Sequence, residues 1–259
     1  MSDAAMSDAA MPEVALVTGG ARRIGRAIVE RLAAEGYAVA IHCQNSRAEA
    51  EALAKSLRAQ GGRAAVVTGD LADPAAVDAI IPAAETAIGP VTLLVNSASS
   101  FLVDDIRNLD VATWNRQFSI NLRAPSVLAG AMANRLPADR EGCVINIIDQ
   151  RVWKLTPQYY SYTLTKSALL TATVTMAQAL APRIRVNAVG PGPTLPNQYE
   201  GEALMAGEAA GSLLQRRVET GEIADAVLYL ARARWVTGQM IAVDSGQHLS
   251  WRTPDIVGE

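Results

Sequence analysis

Val14-Ala-Leu-Val-Thr-Gly-Gly-Ala-Arg-Arg-Ile-Gly25 is the stretch whose reading decides the fold. An apolar run of strand character enters a glycine turn, and a helical stretch follows as far as Gly36. Glycines in such a turn let the backbone approach a pyrophosphate, and the helix start presents free N–H groups with a partial positive charge. The spacing, Gly19-x-x-x-Arg23-x-Gly25, is not G-x-G-x-x-G, yet the strand-turn-helix context of a dinucleotide site is met.

Outward from this turn, short β-rich runs alternate with helical stretches. Strands are expected at Val14–Thr18, Ala38–Cys43, Ala64–Val67, Thr92–Asn96, Cys143–Ile148, Arg185–Val189 and Gln239–Val243. Helices are expected at Gly25–Glu35, Arg47–Gln60, Pro74–Ile88, Tyr160–Ala181 and Gly221–Ala231, with a long or bent one over Asp110–Asn134, its bend near Pro125. The strands are continuous apolar runs, as expected of strands covered on both faces. The fold class read from this is α/β: a Rossmann-like, doubly wound parallel sheet of about seven strands with helices on both faces. No linker or long-period repeat interrupts residues 12–259, which read as a single domain. Residues 191–217 hold three prolines and four glycines after a strand's carboxyl end, where a substrate lid would sit. Residues 1–11 carry a five-residue unit repeated once and read as a disordered tail or a start-site artefact.

A net charge of -3 gives no electrostatic case for nucleic acid or an anionic membrane surface as partner. Cys43 and Cys143 both fall in apolar strand runs and read as buried reduced thiols, and no His/Cys cluster has metal-ligand spacing, so no metal is expected. The N-terminus lacks the basic and apolar regions of a secretory signal. The most apolar candidate span, Ser167 to Ala181, is threonine-rich and ends at Pro182, so it reads as a packing helix. The expected compartment is the cytoplasm.

After the second strand the chain reads His42-Cys-Gln-Asn-Ser-Arg47, with no acid before Glu49. NAD-preferring sites place a carboxylate there, whereas Arg22, Asn45, Ser46 and Arg47 would welcome a 2′-phosphate. NADP(H) is therefore the expected cofactor. Asp70, after the third strand, would orient the adenine or simply form a turn.

Tyr162 and Lys166 lie one helical turn apart in Tyr159-Tyr-Ser-Tyr-Thr-Leu-Thr-Lys166 and share a face. A lysine ammonium near a phenol is expected to lower its pKa and make it a general acid/base near neutral pH.

Together with Leu93-Leu-Val-Asn-Ser-Ala98, Asn121, Arg185-Val-Asn-Ala-Val-Gly-Pro-Gly192 and the run Val236 to Gly246, these motifs resemble the short-chain dehydrogenase/reductase family over about Val14 to Leu249. The resemblance implies a catalytic set of Asp149, Tyr162, Lys166 and Asn121, with Asn121 holding a water that links Lys166 to solvent. It implies cofactor contacts from Gly19, Arg22, Arg23, Ile24, Gly25, Asn45, Ser46, Asp70, Leu71, Ser97, Ala98, Ser99, Tyr162, Lys166, Pro191, Gly192 and Thr194, and a homotetramer packed through the helix Tyr160–Ala181.

Two departures sharpen it. Arg23 stands where most of the family has glycine, and Asp149 stands thirteen residues before the tyrosine, where most have a serine. That serine donates to a developing oxyanion, which an ionised aspartate would repel; aspartate instead suits a substrate presenting N–H groups or taking a proton on nitrogen. Both departures resemble the pteridine reductase branch, as does Ser97-Ala-Ser-Ser-Phe101, although serine replaces an asparagine there. The branch implies that Arg23, Ser99, Phe101, Asp149 and Tyr162 bind substrate, with Phe101 stacking on a pterin. The expected activity is NADPH-dependent reduction of a pterin C=N bond, by Tyr162, Asp149 or an ordered water as proton donor. The alternatives are a short-chain reductase of another carbonyl or imine, and a non-catalytic NADP(H)-binding regulator.

Overall fold

The computed structural model describes residues 13–196 and 201–251. The expected tail at 1–11 and part of the expected lid, 197–200, lie outside the described residues.

Seven strands form one parallel sheet in the order β3-β2-β1-β4-β5-β6-β7: β1 Val14–Val17, β2 Ala38–Cys43, β3 Ala64–Thr68, β4 Leu93–Asn96, β5 Gly142–Ile147, β6 Ile184–Pro191 and β7 Met240–Val243. β1 is central, with Val17 paired to Ile41 on one side and Val95 on the other. Its side chains alternate between two cores. Ala15 and Val17 join the core under α1 (Arg23–Ala34), α2 (Arg47–Ala59) and α8 (Thr220–Arg232). Val14 and Leu16 join the other, under α3 (Pro74–Ile88), α5 (Ala124–Arg135) and α6 (Tyr160–Leu180). This two-sided burial is why the strands read as unbroken apolar runs rather than alternating ones.

The chain winds from β1 to β3 and then crosses to β4, so the order reverses between β1 and β4 and a crevice opens at their carboxyl ends. Thr18 ties the crevice floor together: its Oγ1 accepts the N–H groups of Ser97 (3.0 Å) and Ala98 (3.1 Å).

Two elements differ from the sequence reading. The helix expected over Asp110–Asn134 is α4 (Val111–Phe118) and α5, joined by a π-helical segment at Ser119–Arg123; the break precedes Pro125, which sits in the first turn of α5. Inside the expected lid, Glu202–Ala210 forms a helix, α7. Asp73 and Asp110 cap α3 and α4 by accepting from Ala75 and Thr113.

Candidate active site

A cleft of about 790 Å³ lies over the crevice. Its walls are the β1 turn, the ends of β2, β4 and β5, and the segment after β6.

The turn is shaped by close packing. A Cβ on Gly25 would sit 2.2 Å from the Gly19 carbonyl oxygen, so the helix can start that near the turn only as glycine. No side chain caps α1 at Arg22, which leaves its first N–H groups facing the cleft for a ligand to satisfy. His42, which sequence reasoning passed over, braces this turn from β2. Its Nδ1 accepts from Gly19 N (3.3 Å), its Nε2 faces Gly69 O (3.2 Å), and its carbonyl accepts from Gly20 N (2.9 Å). Burial lowers its pKa to about 4, so the ring is neutral. Arg22, Asn45 and Ser46 line the neighbouring end of the cleft, with Arg22 3.8 Å from Glu49. The uncapped helix start and the polar side chains of Arg22, Asn45 and Ser46 fit a phosphorylated dinucleotide.

At the other end stand Asp149, Tyr162 and Phe101. The Tyr162 hydroxyl donates to Asp149 Oδ2 at 2.8 Å, and Arg151 N donates to Asp149 Oδ1 at 2.9 Å. Burial raises the Asp149 pKa above the usual carboxylate range, against those two donors. Lys166 is 2 % exposed, and its Nζ donates to Ile147 O at 2.8 Å. Burial lowers its pKa to about 8. The expected lowering of the tyrosine pKa is overturned: burial and then Asp149 hold Tyr162 well above the ordinary value. The ammonium lies 5.6 Å from the ring centroid, directed at a backbone carbonyl, while the carboxyl touches the hydroxyl.

Phe101 lines the cleft with Tyr159 stacked on it at 4.3 Å and Tyr162 edge-on at 4.6 Å. Asn121 fixes the loop that carries Phe101. Its Oδ1 accepts from Ser100 N (2.7 Å) and its Nδ2 donates to Ser100 O (2.8 Å) and Thr165 Oγ1 (3.1 Å). The same loop caps α6 from outside. Tyr159 enters α6 at φ 54°, and the Asp104 carboxylate accepts from Ser161 N at 3.1 Å and from the Ser161 hydroxyl. Gln117 Nε2 donates to that hydroxyl at 2.6 Å. Neither Asp104 nor Gln117 carries a sequence motif; only the fold brings them together.

Of the sequence-expected residues, Gly19, Arg22, Arg23, Ile24, Gly25, Asn45, Ser46, Asp70, Leu71, Ser97, Ala98, Ser99, Phe101, Asp149, Tyr162, Gly192 and Thr194 all line the cleft. Lys166, Asn121 and Pro191 are buried outside its lining. Arg23 bridges the mouth, donating to Pro196 O (2.8 Å) and Leu195 O (3.1 Å). The segment after β6 packs on the end of β7: a Cβ on Gly192 would meet Asp244 Cα at 2.5 Å, and Gly192 N donates to Val243 O at 2.9 Å. Gln150, Arg151, Met205, Glu208 and Gln247 complete the walls without having stood out in the sequence.

A family model described as Enoyl-(Acyl carrier protein) reductase matches residues 19–248. The chain is 52% identical to the crystal structure of FolM alternative dihydrofolate reductase 1 from Brucella canis complexed with NADP, at a TM-score of 0.90 over 95% of this chain and 98% of that one. Pteridine reductase 1 of Leishmania tarentolae is 32% identical, covering 92% of this chain and 96% of its own. A short-chain dehydrogenase/reductase from Serratia marcescens is 32% identical with a TM-score of 0.86, over 92% of this chain and 99% of that one.

Proposed function

The chain belongs to the short-chain dehydrogenase/reductase family, and from that premise we propose that it uses NADPH to reduce a C=N bond of a pterin, taking a dihydropterin such as dihydromonapterin to its tetrahydro form. It is an NADP-dependent short-chain reductase. NADPH, when bound, supplies the hydride. We assign its phosphates to the uncapped start of α1 and to Arg22, Arg23, Asn45 and Ser46.

The observation that carries the pterin reading is the contact between Tyr162 and Asp149. A ketone leaves an alkoxide, which needs donors; here the tyrosine's hydrogen bond is accepted by a carboxyl group instead. A reduced C=N bond leaves a basic nitrogen, which needs a proton. Asp149, with its raised pKa, gives one up at least cost. The carboxylate left behind is held by the Tyr162 hydroxyl and Arg151 N–H, with the Lys166 ammonium contributing attraction. Loss of the proton from Tyr162 would instead set a phenolate against that carboxyl. We therefore assign proton delivery to Asp149 and positioning of its charge to Tyr162. Lys166 serves the cofactor ribose, Asn121 the resupply of protons, and Phe101 the stacking of the pterin ring. Ser99 and Thr194 contact the ligands.

The same reading takes residues 12–259 as one domain with its lid at 191–217. It makes the molecule a cytoplasmic homotetramer, with the exposed Thr171, Val174 and Thr175 of α6 available to an interface. Among the described residues no helix is long and apolar enough to cross a membrane.

The test is NADPH consumption with dihydropterins and a panel of ketones, for wild type, Asp149→Ser and Tyr162→Phe. Turnover of a dihydropterin that falls about 10²-fold or more in both variants supports the reading. Turnover of ketones alone moves it to a carbonyl reductase. Cofactor binding with no turnover moves it to a non-catalytic NADP(H)-binding protein.

A further inference from the structure

Two parts of the candidate active site are carried by separate pieces of chain. Phe101 rides on the loop after β4, and Tyr162, whose hydroxyl holds Asp149, sits in the first turn of α6. Three buried residues outside the cleft lining join these pieces: Asp104 on the same loop, Gln117 on α4 and Ser161 on α6.

α6 takes its cap from a distant part of the chain. Tyr159, the residue before it, has φ 54° and supplies no side-chain cap. The first two N–H groups of the helix go instead to one residue. Tyr160 N donates to the Asp104 carbonyl at 3.3 Å, and Ser161 N donates to the Asp104 carboxylate at 3.1 Å. The Ser161 hydroxyl gives its hydrogen to the same carboxylate and accepts from Gln117 Nε2 at 2.6 Å. Gln117 closes the circuit on the loop, accepting from Leu102 N at 3.3 Å and donating to Leu102 O at 3.4 Å. The hydroxyl has one hydrogen and the amide two, and each is committed, so the three side chains have a single mutually consistent arrangement.

Resting on the pterin reading, we infer that Asp104 is a positioning residue for the reaction: with Ser161 and Gln117 it fixes the loop that carries Phe101 against the helix turn that carries Tyr162. Phe101 stands three residues before Asp104, and Tyr162 follows Ser161 directly. The two rings meet edge-on at 4.6 Å, so the register set by Asp104 is felt where the stacking ring and the Asp149 partner touch. An alkyl side chain at 104 leaves the Ser161 N–H and hydroxyl buried without an acceptor, and the turn must shift to find one. Asp149 reports such a shift. It is faced by Tyr162 and Lys166 from α6 and by Arg151 from its own segment, and the Tyr162 hydrogen bond lowers its pKa against burial. Withdrawing that hydroxyl raises the Asp149 pKa further.

The test follows NADPH oxidation against pH with dihydromonapterin for wild type, Asp104→Ala, Asp104→Asn and Ser161→Ala, with NADPH Kd read from its fluorescence on binding. Asp104→Ala loses about 10²-fold in kcat, the cost of a displacement of about 1 Å at the reacting groups, while NADPH Kd stays within about twofold of wild type. Its alkaline limb in kcat/KM moves up by about one pH unit, the worth of a lost hydrogen bond to a carboxylate. Asp104→Asn keeps an acceptor for Ser161 N and recovers about tenfold of the lost rate. Ser161→Ala, which keeps its N–H bond to Asp104, loses about tenfold in kcat. A lowered Tm with kcat and the alkaline limb unchanged makes the cluster a structural cap alone and overturns the assignment. So does a loss confined to NADPH Kd. If Asp104→Ala does not fold, Ser161→Ala decides: wild-type kcat overturns the assignment. Should wild type turn over ketones alone, the pterin reading falls, and the same kcat comparison on a ketone judges Asp104. Absence of turnover with every pterin and ketone, NADPH still binding, overturns both.

Discussion

At residue 149 a carboxyl group is buried against two hydrogen-bond donors and an ammonium, and burial outweighs them. A carboxyl whose pKa is higher in the folded than in the unfolded chain stabilises the fold below the unfolded value and loses that contribution as pH rises through the folded one. Asp149→Asn should therefore melt no lower than wild type near neutral pH while kcat falls by about 10²-fold or more, a split visible in paired thermal melts and rate assays. Wild-type kcat/KM should decline as pH climbs past the raised Asp149 pKa, and the variant's residual rate should lack that limb. His42 behaves in the opposite sense. Its pKa drops from about 6.5 unfolded to about 4 folded, so its stabilisation is complete above the first value and lost as pH falls toward the second. Urea titrations across that window should lose up to about 3 kcal/mol in wild type and less in His42→Gln. The spacing of Tyr162 and Lys166 and the count back to Asp149 were legible in the chain. The direction of the Lys166 ammonium was not, because its partner, Ile147 O, belongs to a different element and is a backbone atom.

Among the elements, the break between α4 and α5 fixes the loop after β4. The π-helical turn presents Asn121 to the loop after β4, where its amide satisfies both backbone groups of Ser100. Asn121→Ala should cost at least about 2 kcal/mol in chemical denaturation, since two buried backbone groups lose their partner. It should also lower kcat/KM, because Ser99 and Phe101 ride on the same loop. Apolar periodicity located this helical stretch and its bend to within a few residues. It could not show a π turn, which adds a residue to the winding without changing composition. Helix α7 was hidden for another reason: a segment of nine residues among glycines and prolines has too short a period to announce itself.

Over the whole molecule, the strand order holds one reversal, between β1 and β4, and the alternation of elements made the doubly wound class legible. The partners in the site were not, since Asp104, Gln117 and Ser161 meet only across the finished fold. The cleft depends on close approach at its centre. Gly25→Ala forces a Cβ to within 2.2 Å of Gly19 O, so the turn must open. Wild type should gain about 2.7 kcal/mol at a cofactor concentration near 100 Kd, read as an upward shift of Tm, and the variant should lose most of that shift. The packing of Gly192 on Asp244 bears on how such a cleft comes into being. Synthesis runs from the N-terminus, so the β1 turn and the floor at Ser97 and Ala98 leave the ribosome long before β7 and Gln247. A nascent chain thus carries the β1 turn and the cleft floor before β7, on which Gly192 packs, has been made.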